Sequence, residues 1–242
     1  MPEQAYAMVF APHPDDEGGA GGTMVRWARE GKDVILVICT NGDKGTNDPK
    51  IKPEELAKTR EEEQRAAAEV LGAREVIFLG HPDQTLTDTP EFRKEITRLI
   101  RQYQPEVVAT VDSQRRYMSH PDHRNTGQVV LNAVSLYARN LYSFPDLYFE
   151  EGLELHQVKE VLLWGAEAPN YCSDITDTFD VKMAAQQCHK SQFGEPTPER
   201  AKRMRERYKT QAEKEEFELG EAFHRIEMRR PPPPPPETPP EK

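Results

Sequence analysis

Histidine and acidic residues in the segment MVFAPHPDDE, residues 8–17, have the types and the spacing to bind a metal ion. The segment begins with an apolar stretch that predicts a buried strand, and prolines on both sides of His13 stiffen the turn. His13 and Asp16 are three residues apart on this turn, so both can reach one metal ion. Asp15 lies between them and is free to act on a water molecule. The alternative, acids that cap a helix start, explains one carboxylate but not the whole pattern.

A second polar cluster, SHPDHRN at residues 119–125, follows a later predicted strand and again begins a helix. Two such clusters are a stronger signal than a single histidine, which is usually structural. At the carboxyl edge of one parallel sheet, His13 and Asp16 can meet one or both of His120 and His123. Two histidines, one carboxylate and an open position for water are the ligands that catalytic zinc requires. The spacing alone leaves open whether His120 or His123 binds the metal.

This set of side chains predicts metal-assisted hydrolysis of an amide or an ester. Zinc lowers the pKa of a bound water molecule and polarises a carbonyl group. Asp15, beside that water, can act as the general base. A histidine that does not bind the metal can stabilise the oxyanion or protonate the leaving amine.

Alternating strand and helix patterns along the chain must position these clusters. Predicted strands, apolar and rich in β-branched residues, cover residues 8–11, 33–40, 75–79, 107–111 and 158–164, with an edge segment at 174–176. Predicted helices cover residues 18–31, 54–71, 91–103, the segment after the second cluster, 180–192 and 199–228. The alternation predicts an α/β fold, a doubly wound and mostly parallel sheet with helices on both faces.

The composition of the 242-residue chain argues against several classes of protein. An apolar content of 36% is enough for one substantial core, and a net charge of −10 argues against a general nucleic-acid or anionic-membrane surface. The chain has no apolar run long enough to span a membrane and no signal-peptide pattern at its start. Three scattered cysteines without a CxxC spacing predict reduced thiols in a cytoplasmic protein.

Four motifs together resemble the PIG-L / LmbE-like family of zinc-dependent N-acetylglucosaminyl de-N-acetylases. They are APHPDDE at 11–17, CTNGDKG at 39–45, TREEEQRAAAEVLG at 59–72 and SHPDHRNTG at 119–127. The later segment DITDTFDVKMAAQQCHKSQF at 174–193 is similar to the closing segment of that family. The resemblance covers roughly residues 5–195. It implies a Rossmann-like fold and a divalent metal, usually zinc, that hydrolyses the acetamide of an N-acetylglucosamine unit.

The resemblance and the composition divide the chain into three predicted parts. Residues 1–195 form the deacetylase domain, residues 196–228 a charged C-terminal helix, and residues 229–242 a proline-rich disordered tail. Six consecutive prolines in the tail favour polyproline II.

The resemblance also implies roles for individual residues. The implied catalytic and metal-binding residues are Asp15 as general base, His120 as electrophile or acid, Asp122 as the residue that orients His120, and His13, Asp16 and His123 as metal ligands.

Two further residues are implied to contact the substrate, Arg60 and Asp83. Arg60 matches the arginine that begins the RxxE helix of the family, and the alternative is a surface arginine paired with Glu63 one turn on. Asp83 matches an acid that contacts sugar hydroxyls, although HPDQTL lacks the glycine that commonly follows it. His189 in CHKSQ either matches a family histidine near the pocket or is structural.

Together, these observations predict a cytoplasmic metalloenzyme that removes the acetyl group from a small N-acetylated amino sugar. Zinc is the expected cofactor, and ferrous iron suits the same ligands. Two alternatives stay open: a metal-dependent amidase of a thiol conjugate or an antibiotic precursor, and a catalytically inactive sugar-binding protein. No nucleic-acid partner and no membrane span are expected. The aglycone and the oligomeric state, with a homo-oligomer as one option, stay open.

Overall fold

The computed structural model describes residues 4–117 and 120–228, which contain a seven-stranded sheet. The strands, in chain order, are β1 (Ala7–Ala11), β2 (Val34–Thr40), β3 (Glu75–His81), β4 (Val107–Val111), β5 (Glu160–Trp164), β6 (Tyr171–Asp174) and β7 (Gly220–Glu227). Their order across the sheet is β3-β2-β1-β4-β5-β7-β6. The first five strands pair in parallel, whereas β7 is antiparallel to both β5 and β6. The predicted α/β fold with a mostly parallel sheet is confirmed.

Helices cover both faces of this sheet. They are α1 (Gly21–Arg29), α2 (Pro53–Leu71), α3 (Pro90–Tyr103), α4 (Pro121–Ser135), α5 (Pro145–Phe149), α6 (Phe179–Cys188), α7 (Lys190–Phe193) and α8 (Pro198–Gln211), with 3₁₀ turns at Asp16–Gly19 and Tyr137–Arg139. Alternate residues of β1 divide the core. Met8 and Phe10 pack with α3 and α4, whereas Ala7 and Val9 pack with α1, α2 and α6.

The interior strands are apolar because they are covered on both faces. Every residue of β1, β2 and β4 is buried, as expected for the central strands of a parallel sheet between two helix layers. The strand predicted at 107–111 has those bounds in the structure, and the helix predicted at 54–71 extends by one residue. Gly72 ends that helix with φ +75°, a left-handed conformation that glycine adopts without strain.

The helix predicted over residues 196–228 is wrong in its second half. The helix α8 ends at Gln211, and β7 then inserts between β5 and β6. The charged composition of the segment favours helix locally, but pairing on both sides of β7 satisfies its backbone hydrogen bonds within the sheet. The strand begins at Gly220, where a Cβ would lie 2.3 Å from Sγ of Cys172 on β6, so only glycine fits this close approach. A strand that follows residue 195 therefore belongs to the same sheet as the predicted deacetylase domain.

The helix predicted over residues 180–192 is also interrupted. α6 ends at Cys188 and α7 begins at Lys190, so His189 lies at the break between them. His189 is almost fully buried there. The break allows this side chain to turn inward instead of continuing along a helix surface.

Two further predictions concern the proline-rich tail and the absence of a membrane span. The proline-rich tail, residues 229–242, lies outside the described residues, so its disorder stays a prediction. None of the helices in the described part of the chain combines the length and the apolar character needed to cross a membrane.

Candidate functional site

The two polar clusters meet where the order of the strands changes direction. β1 lies between β2 and β4, so the chain leaves β1 for one side of the sheet and later returns on the other. The loops that follow β1 and β4 diverge at this point and leave a crevice at the carboxyl ends of the strands. His13 follows β1, and His120 and His123 follow β4. The predicted convergence of the two clusters is present in the structure, with ring centroids 4.5 Å apart for His13 and His120.

His13 lies at the centre of a group of carboxylates. Its Nδ1 lies 3.0 Å from Oδ2 of Asp16, and its Nε2 lies 3.0 Å from Oδ1 of Asp83 and 3.3 Å from Oδ2 of Asp122. Burial alone would lower the pKa of His13, but hydrogen bonds with Asp122, Asp16 and Asp83 raise it to about 11. Three carboxylates around one buried imidazole thus form a site with a strong preference for positive charge.

Asp16 also contacts the second cluster. Its Oδ2 lies 3.2 Å from Nε2 of His123 as well as against His13. Burial alone would raise the pKa of Asp16, but hydrogen bonds with His123 and His13 hold it well below its ordinary range. The carboxylate is therefore ionised. The three residues expected to bind the metal are adjacent in the structure.

His120 begins α4 and lies beside these three residues. Its Nδ1 accepts the backbone N–H of Asp122 at 3.3 Å, and its Nε2 lies 3.9 Å from Oδ1 of Asp83. Burial and the nearby imidazoles of His13 and His123 lower the pKa of His120, which favours the neutral ring. A neutral ring that accepts at Nδ1 carries its proton on Nε2.

The orienting role expected for Asp122 is not the one that the structure shows. Its carboxylate accepts the backbone N–H groups of Gln84 at 2.6 Å and Leu86 at 3.1 Å, and it lies against His13. The side chain thus joins the loop after β3 to His13, whereas His120 is held through the backbone N–H of Asp122. His120 is the N-cap residue of α4 and has an extended backbone, whereas Asp122 lies in the first turn of that helix.

Asp15 has an unusual backbone conformation and a perturbed pKa. Its φ is 93°, a region that non-glycine residues rarely adopt. Its N–H donates to Oε1 of Gln64 at 2.9 Å, and its Oδ2 accepts from Nη2 of Arg60 at 3.2 Å. Burial, together with repulsion from Asp16, raises the pKa of Asp15 to about 7, although Arg60 opposes the shift. The side chain can therefore exchange a proton near neutral pH.

Arg60 is buried behind Asp15 and is not a surface residue. Its guanidinium donates to the carbonyl oxygens of Gly42 at 3.0 Å and Pro14 at 2.5 Å, in addition to Asp15. The alternative pairing with Glu63 is wrong, because Glu63 accepts hydrogen bonds from Ser191 instead. A Cβ at Gly42 would lie 2.5 Å from Nη1 of Arg60, so glycine makes room for the guanidinium.

Asp83, the other residue expected to contact substrate, is also buried. Its carboxylate faces His13, and its backbone N–H donates to Oδ1 of Asp43 at 3.0 Å. Lys44 donates to its carbonyl oxygen. The loop that carries Asp83 is thus held against the CTNGDKG turn, and the carboxylate supports the histidine cluster.

Sequence reasoning missed Gln64, which is fully buried on α2. The available signal was helical spacing. Leu56 and Leu71 mark the buried face of α2, and Arg60 and Gln64 follow Leu56 on that face at intervals of four residues. Polar residues on the buried face of an amphipathic helix need partners, and here the partner is the backbone and carboxylate of Asp15.

The sequence left the role of His189 open. In the structure this residue has a structural role and lies close to the site. Its Nε2 lies 2.9 Å from Oε1 of Glu17, and both side chains are almost fully buried. Burial alone would lower the pKa of His189, but the Glu17 contact raises it. This contact joins the break between α6 and α7 to the 3₁₀ turn at Asp16–Gly19, which contains Glu17.

The donor set fits a divalent metal ion. His13, His120 and His123 each offer a nitrogen, all within 4.8 Å of one another, and a second overlapping group includes Asp83 and Asp122. Imidazole nitrogen with carboxylate oxygen suits zinc and ferrous iron. The arrangement also provides carboxylates behind a candidate histidine ligand, which is how proteins orient such ligands. A cation at this position would balance the excess of carboxylate charge.

A cleft opens from this cluster toward the C-terminal segment. It has a volume of about 990 Å³, and its floor includes Asp15, Asp16 and His123. Trp164 at the end of β5 lies on one side, where Gly19 is required because a Cβ there would lie 2.4 Å from the indole ring. One face of α8 forms another side. The volume lies at the upper end of the range for small-molecule sites, about 300–1,000 Å³.

Comparison with known proteins agrees with this arrangement. Residues 8–134 match the model of the family described as PIG-L, GlcNAc-PI de-N-acetylase. The chain is 38% identical over 189 residues to diacetylchitobiose deacetylase from Thermococcus kodakarensis, covering 78% of this chain and 70% of that protein.

Two solved structures share the fold. N,N'-diacetylchitobiose deacetylase from Pyrococcus horikoshii has a TM-score of 0.83 and 32% identity, with coverage of 91% of this chain and 83% of that one. The 4-carboxy-2-hydroxymuconate hydratase from Pseudomonas putida has a TM-score of 0.76 over 96% of this chain and 98% of that one, at 22% identity. The second likeness concerns the fold alone.

Proposed function

The chain belongs to the PIG-L family of GlcNAc-PI de-N-acetylases, and from this premise we propose that it is a metal-dependent hydrolase of N-acetylglucosaminyl substrates. The reaction is hydrolysis of the acetamide, which yields acetate and a free amino sugar. The observation that carries the proposal is the position of Asp15. A carboxylate of raised pKa lies at the floor of a large cleft, directly beside the His13–Asp16–His123 cluster.

The proposed metal ligands are His13, Asp16 and His123, with zinc as the metal and ferrous iron as the alternative. When bound, the cation would polarise the acetamide carbonyl and lower the pKa of a water molecule. Asp83 and Asp122 would orient His13 through Nε2, since they face the ring nitrogen opposite Asp16.

The remaining chemistry belongs to Asp15 and His120. Asp15 accepts a proton from the attacking water as the new C–O bond forms, and it holds that proton while the tetrahedral intermediate exists. His120 donates a hydrogen bond from Nε2 to the oxyanion. When the C–N bond breaks, the proton passes from Asp15 or His120 to the leaving amine. Arg60 and Gln64 keep Asp15 in its strained conformation.

The two alternatives receive less support. An inactive sugar-binding protein would not need a general base, and here Asp15 lines the cleft together with Asp16 and His123. His13 contacts Asp16, and His120 lies beside His123. A mycothiol S-conjugate amidase from Streptomyces coelicolor is also similar, at 31% identity over 55% of this chain. The diacetylchitobiose deacetylase matches more of the chain at higher identity, 38% over 78%, which favours a deacetylase over an amidase of thiol conjugates. The cytoplasmic location stays a prediction, and the oligomeric state stays open.

The proposed metal site is tested by the His123→Ala variant. We expect its metal content, measured by elemental analysis after reconstitution, to fall well below that of the wild type, because one of three ligands is lost. The matched control is His81→Ala, since His81 pairs with Glu95 away from the site. Unchanged metal content in His123→Ala, with a loss in His120→Ala, would assign the ligand to His120.

The role of Arg60 is tested by the Arg60→Lys variant. An ammonium cannot reach Asp15 and two carbonyl oxygens at once, so Asp15 should lose its support. We expect kcat to fall at least about tenfold with KM changed about twofold or less, since a positioning hydrogen bond to a charged group is lost. Arg65→Lys, on the exposed face of the same helix, is the control. A rise in KM at constant kcat would instead indicate direct substrate binding by Arg60.

A further inference from the structure

The cleft beside the candidate site is lined by an unusual concentration of positive charge. Four arginines line it, Arg115 on the loop after β4 and Arg200, Arg203 and Arg207 on α8. We call these four residues the arginine wall. α8 contains six basic and two acidic residues in a chain whose net charge is −10. α8 is thus strongly positive, although the protein as a whole is negatively charged.

The spacing on α8 places its arginines on one face. Arg200, Arg203 and Arg207 are three and four residues apart, and they line the cleft together with Met204 and Tyr208. Arg205 lies on another face, where it pairs with Glu218 outside the cleft.

The arginine wall has no carboxylate partner within the described residues 4–117 and 120–228. Arg205 and Arg225 form ion pairs with nearby acids, but no acid of the described residues lies within ion-pair distance of any of the four wall arginines. Glu167 lines the same cleft, but its partner is Arg116. Oε1 of Glu167 accepts the backbone N–H of Arg116, and Oε2 of Glu167 lies 3.9 Å from Nε of Arg116. Helical spacing would allow Glu199 to pair with Arg203, and it does not.

One of the four guanidinium groups is held in place. Arg200 donates from Nη1 to the carbonyl oxygen of Phe193 at 2.8 Å and lies 4.3 Å from the centre of that ring. Its position is therefore defined by the protein. Arg203 and Arg207 continue the row along the helix with exposed side chains, and neither forms an ion pair with an acid of the described residues. The guanidinium of Arg207 lies 5.9 Å from the centre of the Tyr208 ring.

Together, these features lead us to infer that the substrate carries an anionic group, a carboxylate or a phosphate, on the part of the molecule beyond the amino sugar. The inference rests on the proposed deacetylase function, because the acetamide must lie at Asp15 for the rest of the substrate to reach α8. Arginine binds both anions through two parallel hydrogen bonds. The arginine wall attracts the anion, so its charge also favours one direction of substrate binding, with the anionic group toward α8.

The test compares substrates that share the amino sugar and differ in the charge of the group attached to it. The probes are the N-acetylglucosaminide of glycolic acid, its neutral methyl ester, and N-acetylglucosaminyl methyl phosphate. We expect kcat/KM for one or both anionic glycosides to exceed that of the ester by about tenfold or more, a factor typical of one charged hydrogen bond. The carboxylate and phosphate arms identify which anion is preferred. Raising the ionic strength should reduce the preference.

The Arg203→Gln/Arg207→Gln double variant assigns that preference to the arginine wall. We expect the ratio of kcat/KM for anionic over neutral glycosides to fall about tenfold. The control is Arg205→Gln, on the other face of the same helix, which should keep the wild-type ratio. Equal kcat/KM for the acid, the ester and the phosphate would overturn the inference, as would a preference that survives in the double variant.

A binding measurement separates this inference from the proposed function. The Asp15→Asn variant, loaded with metal, is titrated calorimetrically with the same three glycosides. Release of acetate from none of the glycosides by the wild type would contradict the deacetylase proposal. In that case, tighter binding of an anionic glycoside, lost when the two arginine substitutions are added, would still support the arginine wall. Equal binding of the three glycosides would overturn it.

Discussion

The Asp15→Asn variant is expected to lose most deacetylase activity, with kcat lower by about 10²–10⁴-fold, the usual contribution of a general base. An amide cannot accept the proton that a carboxylate accepts. The expected metal content is that of the wild type, because His13, Asp16 and His123 are unchanged. The measurements are acetate release from a neutral N-acetylglucosaminide and metal stoichiometry on the same preparation.

The same variant should keep its fold, which makes the loss of activity interpretable. Asparagine tolerates the left-handed region better than most residues, so it can adopt the φ of 93° found at Asp15. Its backbone N–H still donates to Gln64, and its amide oxygen can accept from Arg60. We expect a melting temperature close to that of the wild type. Asp48→Asn, on the exposed loop after β2, is the control for activity.

Full activity of Asp15→Asn would place the general base elsewhere in the cluster. Asp15→Ala is a useful contrast, because alanine has neither the carboxylate nor the tolerance for this conformation. A drop in stability for the alanine variant alone would show that a side chain of the aspartate or asparagine type stabilises the strained backbone at residue 15.

The Glu221→Ala variant is expected to cost about 3–5 kcal/mol of unfolding free energy, the range for removing one partner of a buried ion pair. Glu221 on β7 accepts the backbone N–H groups of Gly22 and Thr23, both at 2.8 Å, and the hydroxyl of Thr23 at 2.6 Å. It also accepts from the buried ammonium of Lys182. The substitution leaves a buried charge and the N–H groups at the start of α1 without this partner. Urea unfolding at neutral pH measures the change.

Lys182→Met gives the matched comparison for this buried pair. Glu221 keeps its three other donors in that variant, so the expected loss is smaller, about 1–2 kcal/mol. Glu218→Ala, which removes an exposed partner of Arg205, is the control and should change stability little. A loss in Glu221→Ala no larger than in this control would show that the buried network does not hold the C-terminal strand.

The pH dependence of the same comparison has a defined sign. Burial alone would lower the pKa of Lys182, but the charge of Glu221 raises it above the ordinary value of 10.5. A folded-state pKa above the unfolded one contributes stability that is complete below the unfolded pKa and is lost as the pH rises through the folded one. The stability difference between wild type and Lys182→Met should therefore be constant near neutral pH and decrease only above pH 10.5, the ordinary pKa of lysine.

This network connects the C-terminal segment to the candidate site. The ammonium of Lys182 lies 3.8 Å from the centre of the Tyr208 ring, and Tyr208 is on α8, which forms a wall of the cleft. Glu221 accepts the backbone N–H of Gly22 at the start of α1, and α1 follows the 3₁₀ turn at Asp16–Gly19. A substitution in this network is thus expected to affect both stability and the shape of the cleft.

The candidate site residues could be selected from the sequence because they lie in two short local motifs. His13, Asp15 and Asp16 occupy one rigid turn, and His120 and His123 occupy one helix start. The order of strands and helices placed both clusters at the same sheet edge, and the structure brings them together. The apolar runs of β1, β2 and β4 likewise identified the central strands, since burial on both faces requires an unbroken apolar sequence.

What only the tertiary structure decided concerns partners that are distant in the chain. Arg60 proved to support Asp15, Asp122 to hold His13, and residues 220–227 to form a strand instead of the end of a helix. Each outcome depends on residues far along the chain: Arg60 meets Asp15 across 45 residues, and Glu221 meets Gly22 across 199. Local propensity does not predict such contacts, because the partner of a buried charge is set by which residues the packed fold brings close to it.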